Sequence, residues 1–174
     1  QADIFIIGKI LGKEMLGFYS VGMSLSSLPM EKASGIINQV AFPAFSSIQN
    51  DPQKIGSHFL KAVRMMSFVA FPVLWGMSSI APELVATLLG DKWHLAALPF
   101  QLLCLVISIR MISNLMSPAL LGAGRPDISF LNVVFASLVM PICILIATHW
   151  GIVGVSVAWV LVFPLIFLRN LSRV

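Results

Sequence analysis

Long apolar runs separated by short polar turns dominate this chain. Each run provides roughly the 20 helical residues needed to cross a bilayer core about 30 Å thick. After the end of a first run, the pattern predicts five further membrane spans, at about 15–46, 65–89, 95–121, 128–148 and 152–168. We therefore predict an all-α fold, a polytopic transmembrane helix bundle in which residues 1–174 form one transmembrane region.

The sequence predicts a local structure for two of the polar segments. Residues 53–64 alternate apolar and basic side chains with helical spacing, which predicts an interfacial helix leading into the span that begins near residue 65. The segment 122–127 contains two glycines, then Arg125, Pro126 and Asp127. Glycine permits unusual backbone angles, and proline and aspartate favour the first turn of a helix. We expect a tight helix–helix connection there and no ligand site.

Composition supports the membrane assignment. Hydrophobic residues make up 58% of the chain and charged residues 10%, whereas soluble domains are about 45–50% apolar and about 25% charged. The formal net charge of +4 comes from scattered basic residues, so nucleic acid is excluded as a partner. The sequence opens on Gln1 without a signal-peptide pattern, and we expect it to be a fragment of a longer chain.

The sequence contains no pattern typical of a catalytic or metal site. Histidines, cysteines and carboxylates lack metal-ligand spacing, no span carries paired carboxylates, and no phosphate-binding glycine loop is present. We therefore predict no catalytic residue, no metal, no cofactor and no enzyme activity. Cys104 and Cys143 lie in apolar runs, where they are expected to be small buried hydrophobic residues without a disulfide.

Charges inside the predicted spans carry the functional signal. Glu31, Lys32 and Arg110 fall well within apolar runs, where a central Lys or Arg costs about 2.5–3.5 kcal/mol and usually faces protein or water. Further polar residues follow these charges at helical spacing and predict a hydrated cavity between two helices: Asn38, Gln39, Ser113, Asn114 and Ser117. In the alternative interpretation, Lys32 pairs with Glu31 or extends to the interface, and Arg110 binds a backbone carbonyl.

The order of short motifs along the chain resembles that of a known transporter family. These motifs are Ala2 and Asp3 with Ile6 to Lys9; Leu16 to Tyr19; Val40 to Pro43; Leu89 and Gly90 with Trp93; Gly124 to Asp127; and Gly151 to Gly154. They resemble the polysaccharide flippases, the Wzx-type lipopolysaccharide biosynthesis proteins of the multidrug/oligosaccharidyl-lipid/polysaccharide superfamily. The resemblance runs through nearly the whole chain and implies the carboxy-terminal six-helix half of a MATE-like transporter.

The resemblance also implies a function. Such a flippase moves undecaprenyl-diphosphate-linked oligosaccharide across the bacterial cytoplasmic (inner) membrane for export of O-antigen or exopolysaccharide. Its implied partners are this lipid-linked oligosaccharide, the lipid bilayer and the polysaccharide polymerase machinery. Lys32 and Arg110 would attract the diphosphate, and three amides would bind sugar hydroxyls: Asn38, Gln39 and Asn114. Glu31 is the candidate for ion coupling.

Two other classes of protein remain as alternatives. A MATE-type drug or cation antiporter would favour carboxylates in its cavity, and the predicted cavity offers only Glu31. A membrane-embedded glycan polymerase or ligase would carry catalytic residues on a large soluble loop, whereas the loops here are short.

The distribution of basic residues predicts the membrane topology. Six basic residues fall on one side of the predicted spans and three on the other: Lys54, Lys61, Arg64, Arg125, Arg169 and Arg173 against Lys9, Lys13 and Lys92. Because cytoplasmic loops carry the excess of Lys and Arg, residues 52–64 and 122–127 should face the cytoplasm, and residues 90–93 and 149–151 should face outward.

Single cysteines test this topology in a full-length background that lacks Cys104 and Cys143. In intact cells an impermeant thiol reagent should label the Lys92→Cys variant and spare the Lys54→Cys variant, which should react after the cells are opened. Labelling of position 54 alone in intact cells would show that the topology is inverted.

Overall fold

The computed structural model describes residues 2–46, 52–122 and 124–171, and within 34–46 it describes the helix without its side chains. The elements in these ranges are all helical, which confirms the all-α prediction. The α-helices are α1 (Ala2–Ile10), α2 (Gly12–Ser46), α3 (Pro52–Ser79), α4 (Ala81–Leu89), α5 (Ala97–Ser113), α6 (Met116–Gly122), α7 (Pro126–Ala147) and α8 (Gly151–Leu171). Short 3₁₀ helices at Asp91–Ala96 and Thr148–Trp150 precede α5 and α8.

Helix α5 lies at the centre of the bundle. It packs against α2, α3 and α8, while α1 packs along α2 and α7 along α8. A helix that is apolar on every side is expected in a buried position, and α5 fits this rule. Its Phe100, Leu103, Cys104 and Ile107 are fully buried in the main hydrophobic core.

Prolines set two of the helix boundaries. Pro82 lies at the start of α4, and the break between α3 and α4 falls at Ile80. Pro118 cannot donate a backbone hydrogen bond to the carbonyl of Asn114, and α5 gives way to α6 through a turn at residues 114–115. The sequence analysis placed a boundary near residue 65. The helix has no break there, because α3 is continuous from Pro52 to Ser79, and the change from interfacial helix to membrane span at that residue stays a prediction.

The connection between α6 and α7 is as tight as predicted. Gly124 has a φ of 71°, a left-handed conformation that L side chains rarely adopt, and α7 begins at Pro126 with Asp127 in its first turn. The backbone N–H of Arg125 donates to the carbonyl of Leu120 at 2.9 Å, which closes the end of α6.

Three described stretches are long and apolar enough to cross a membrane: Lys54–Ser79, Asp91–Leu121 and Pro126–Leu171. The last of these contains both α7 and α8, which are about 33 Å and 31 Å long at 1.5 Å per residue. Either helix matches a bilayer core of about 30 Å. The chain is therefore an integral membrane protein, while the predicted number of crossings stays a prediction.

Helices α2 and α5 touch through a glycine. A Cβ atom added at Gly22 would lie 3.1 Å from the backbone nitrogen of Phe100 and 3.3 Å from the carbonyl oxygen of Ala96. Because both neighbours are backbone atoms, they cannot move aside by a side-chain rotation. Gly22 thus sets the distance between the two helices.

We expect Gly22→Ala to destabilise the protein by about 1–3 kcal/mol, the range typical of overpacking a close contact. The melting temperature of the purified full-length protein in detergent measures the change. Gly76→Ala is the matched control, since Gly76 also lies within a helix but has open space around it. The control should leave the melting temperature unchanged or raise it, because alanine favours the helix. Equal melting temperatures for the two variants would contradict the close contact.

Candidate functional site

Arg110 lies in the last turn of α5 and directs its guanidinium group toward α8. The guanidinium carbon lies 4.7 Å from the centroid of the Trp159 ring and 5.9 Å from that of Phe163. Trp159 and Phe163 are four residues apart and therefore share one face of α8. Cation–π contacts of this kind hold a guanidinium in a defined position, and they gain strength away from water.

A buried hydrogen bond lies next to this arginine. The Tyr19 hydroxyl of α2 donates to the Asp3 carboxylate of α1 at 3.1 Å, and both residues are buried. The positive charge of Arg110 interacts electrostatically with Asp3 and with Tyr19. We call these five residues the Arg110 cluster: Asp3, Tyr19, Arg110, Trp159 and Phe163. The cluster joins α1, α2, α5 and α8, and within it a formal positive charge is balanced by a formal negative one.

The sequence analysis identified only Arg110 as a functional residue of this cluster. Asp3 and Tyr19 were noted as parts of motifs, and Trp159 and Phe163 were not singled out. A signal for Asp3 was present, because it is a carboxylate at the start of the apolar segment 4–8. The reasoning applied to Arg110, that a charge in an apolar run needs a reason, applies equally to Asp3.

Lys32 and Glu31 lie on α2 at a different level of the bundle. Thirteen residues, or about 20 Å of helix, separate Lys32 from Tyr19. Both side chains are exposed, and Glu31 accepts a hydrogen bond from the Ser27 hydroxyl at 2.9 Å. The structure thus does not bring Lys32 into the Arg110 cluster, and a ligand-binding role for either residue stays a prediction.

Of the three amide side chains predicted to bind sugar, the structure describes only that of Asn114. Asn114 is exposed in the turn between α5 and α6. The side chains of Asn38 and Gln39 lie outside the described residues, so their predicted role stays a prediction. The polar residues that were expected to form one stripe therefore do not face the same site. Ser113 and Ser117 line a cavity, and Asn114 does not line it.

This cavity lies between α5, α6, α7 and α8 and has a volume of about 160 Å³. Its polar lining consists of three serines and two buried asparagines from these four helices: Ser113, Ser117, Ser129, Asn132 and Asn170. We call it the asparagine cavity. Phe163 lines it and also contacts Arg110, so the cavity adjoins the Arg110 cluster. The sequence signal that was missed is an asparagine within each of the apolar segments that form α7 and α8.

The described residues show no arrangement for metal or thiol chemistry. Within these ranges no three His, Cys, Asp or Glu side chains lie close enough together to hold a metal ion. Cys104 is buried, Cys143 is half-buried and both thiols are free.

Comparison with known proteins agrees with the resemblance seen in the motifs. Residues 1–98 match the model of a family described as "Polysaccharide biosynthesis protein". Over 90% of the chain is 32% identical to the lipopolysaccharide biosynthesis protein WzxC of Escherichia coli K12, and 74% of it is 33% identical to the teichuronic acid biosynthesis protein TuaB of Bacillus subtilis 168. The succinoglycan biosynthesis transport protein ExoT of Rhizobium meliloti 1021 is 23% identical over 75% of the chain.

The chain spans about a quarter to a third of the length of the curated relatives it matches, 32% of WzxC and 26% of both TuaB and ExoT. No solved structure gave a significant match. The family model nevertheless covers more than half of the chain, and the relatives are similar over most of it. The chain therefore belongs to the polysaccharide biosynthesis protein family.

Proposed function

We propose that this chain contributes to a transporter that flips undecaprenyl-diphosphate-linked oligosaccharide from the cytoplasmic to the outer leaflet of the bacterial cytoplasmic membrane. Three relatives support this assignment by their names, which refer to lipopolysaccharide biosynthesis, teichuronic acid biosynthesis and succinoglycan transport. Each of these names concerns a glycan made for the cell surface or for secretion, and such a glycan must cross the membrane.

The observation that carries the proposal is the position of Arg110. Its guanidinium lies inside a helical bundle, over two aromatic rings, where an arginine is costly unless it has a function or a partner. A diphosphate offers several oxygens that a planar guanidinium can bind in pairs. Trp159 and Phe163 would hold the guanidinium plane in place while those bonds form.

When no substrate is bound, Asp3 would be the charge partner of Arg110. One carboxylate carries a single negative charge, whereas a diphosphate group carries more, so the substrate can compete for the guanidinium as it enters. The charge of Arg110 would then be matched by a negative charge in both states. Lys32, about 20 Å farther along α2 than Tyr19, would attract the same diphosphate at another stage of its passage.

A drug or cation antiporter is supported less well by this geometry. Such a protein needs a carboxylate available to the cation, and the structure does place Asp3 inside the bundle. The Asp3 charge is already opposed by Arg110, however, and its carboxylate accepts a hydrogen bond from Tyr19. The cluster therefore presents no net negative charge that would attract a cation.

Neutral substitutions test the proposal in the full-length protein. We expect Arg110→Gln to reduce surface polysaccharide per molecule of inserted protein by about ten-fold or more, since a hydrogen bond to a charged group contributes about 1.5–3 kcal/mol. Lys32→Gln should also reduce export, and Arg110→Lys should retain more than Arg110→Gln if charge matters more than the paired donors. Arg64→Gln is the matched control, because Arg64 is exposed and lies outside the cluster. It should export normally.

A double substitution separates function from stability. Asp3→Asn alone leaves Arg110 without its charge partner and should lower the amount of inserted protein, while Asp3→Asn with Arg110→Gln removes both charges and should restore it. If the pair were only structural, the double variant would also regain export. The proposal requires that it regain the protein level and remain defective in export.

A further inference from the structure

Helix α3 presents one continuous exposed row of side chains along its first five turns. The positions in this row follow one another at steps of three or four residues and therefore lie on one side of the helix. We call them the α3 outer row, and all five are exposed: Lys54, His58, Lys61, Met65 and Phe68. Phe59, Ala70 and Leu74 are buried on the opposite side of α3, which packs against the bundle. The outer row thus faces away from the other described helices.

The chemistry of the outer row changes once along the helix. Its first three residues carry basic side chains, whereas Met65 and Phe68 are apolar and 66% and 81% exposed. The chain has no charged residue between Arg64 and Glu83. The basic part extends over about 10 Å at 1.5 Å per residue, and long basic side chains can reach along the surface of the helix. The row therefore has the order of one phospholipid leaflet, a headgroup layer followed by hydrocarbon.

The basic part of the row has no anionic partner within its own helix. Helix α3 contains Lys54, Lys61 and Arg64 and no Asp or Glu. The Nδ1 atom of His58 lies 2.8 Å from the carbonyl oxygen of Lys54, and it must carry the proton of this hydrogen bond because a carbonyl oxygen only accepts. This bond holds the imidazole between the two lysines and leaves Nε2 for a partner outside the helix. The three side chains together suit a phosphate group.

The position of the row favours a lipid of the bilayer over the transported substrate. The Arg110 guanidinium lies inside the bundle, whereas the outer row lies on the far side of α3. In the most apolar part of Lys54–Ser79, only 17% of the residues are buried against the described chain, so most of this helix surface can meet lipid. An anionic phospholipid combines a phosphate with acyl chains and matches both parts of the row. A zwitterionic lipid carries a cation close to its phosphate, which opposes the attraction of the lysines.

We propose that the α3 outer row binds an anionic phospholipid of the leaflet that surrounds the start of α3. The phosphate lies between Lys54 and Lys61, beside His58, and an acyl chain follows Met65 and Phe68. The site is independent of the proposed function, because it concerns a lipid that stays in its leaflet and is not transported. A lipid bound there would fix the depth at which α3 enters the membrane.

The melting temperature of the purified full-length protein in detergent, measured with added lipid, tests the site. The probes are phosphatidylglycerol and phosphatidylcholine with identical acyl chains, and phosphatidylglycerol should raise the melting temperature at the lower concentration. In the variant Lys54→Gln with Lys61→Gln, the phosphatidylglycerol concentration that gives half of the rise should be about thirty-fold higher, since each basic residue near anionic lipid contributes about five-fold. The response to phosphatidylcholine should stay the same.

Two single substitutions separate the row from overall charge. Lys61→Gln should require about five-fold more phosphatidylglycerol than the unaltered protein. Arg64→Gln is the matched control, because it removes one exposed charge from the same helix but lies about 80° around the helix axis from Lys54, outside the row. It should respond as the unaltered protein does. Equal responses of the two variants would show that only the total charge matters, and would overturn the site.

Other occupants of the row would give other results. If another part of the full-length chain covers the row, the double variant should melt at a lower temperature without lipid and keep its full response to phosphatidylglycerol. If undecaprenyl phosphate acts at lower concentration than phosphatidylglycerol and loses its effect in the double variant, the row binds the transported lipid. If glycerol phosphate, which lacks acyl chains, acts as well as phosphatidylglycerol, the row binds anions without using Met65 and Phe68. Each of these three results would overturn the proposal.

Discussion

The structure depends on the neutralisation of one half-buried cation, Arg110. Arg110 of α5 interacts with the Asp3 carboxylate of α1, which also accepts a hydrogen bond from Tyr19 of α2, while Trp159 of α8 covers the guanidinium. In an apolar bundle, removing one member of such a pair leaves an uncompensated charge, at a cost of about 3–5 kcal/mol. The contacts around this one charge thus join α1, α2, α5 and α8.

The end of α5 contributes to holding the charge. Because Pro118 cannot complete the hydrogen bond to Asn114, the helix stops at Ser113 and Arg110 falls in its last turn. The carbonyl groups at a helix C-terminus carry partial negative charge and favour a cation there. A proline eight residues away thus helps to explain why this position tolerates an arginine. The interruption of the helix after Ser113 and the placement of Arg110 are here two aspects of one local arrangement.

The Arg110 cluster and the asparagine cavity differ in their electrostatic state. The cluster contains opposite formal charges, so it suits an anion that can exchange with a carboxylate. The cavity is neutral, and three serines and two buried asparagines give it its polar lining. Phe163 connects the two, because it lines the cavity and also lies beside Arg110.

The sequence by itself determined the membrane class, the all-α fold, the glycine–proline turn at 122–127 and the family, because these follow from local periodicity, backbone chemistry and ordered motifs. It also marked Arg110, since a charge in an apolar run is visible without a structure. It did not pair Arg110 with Asp3, 107 positions earlier, and it grouped Arg110 with Lys32 although the two belong to different levels of the bundle. Only the tertiary structure decided these pairings, because helical spacing relates residues within one helix, whereas the partner of a buried charge is set by how separate helices pack.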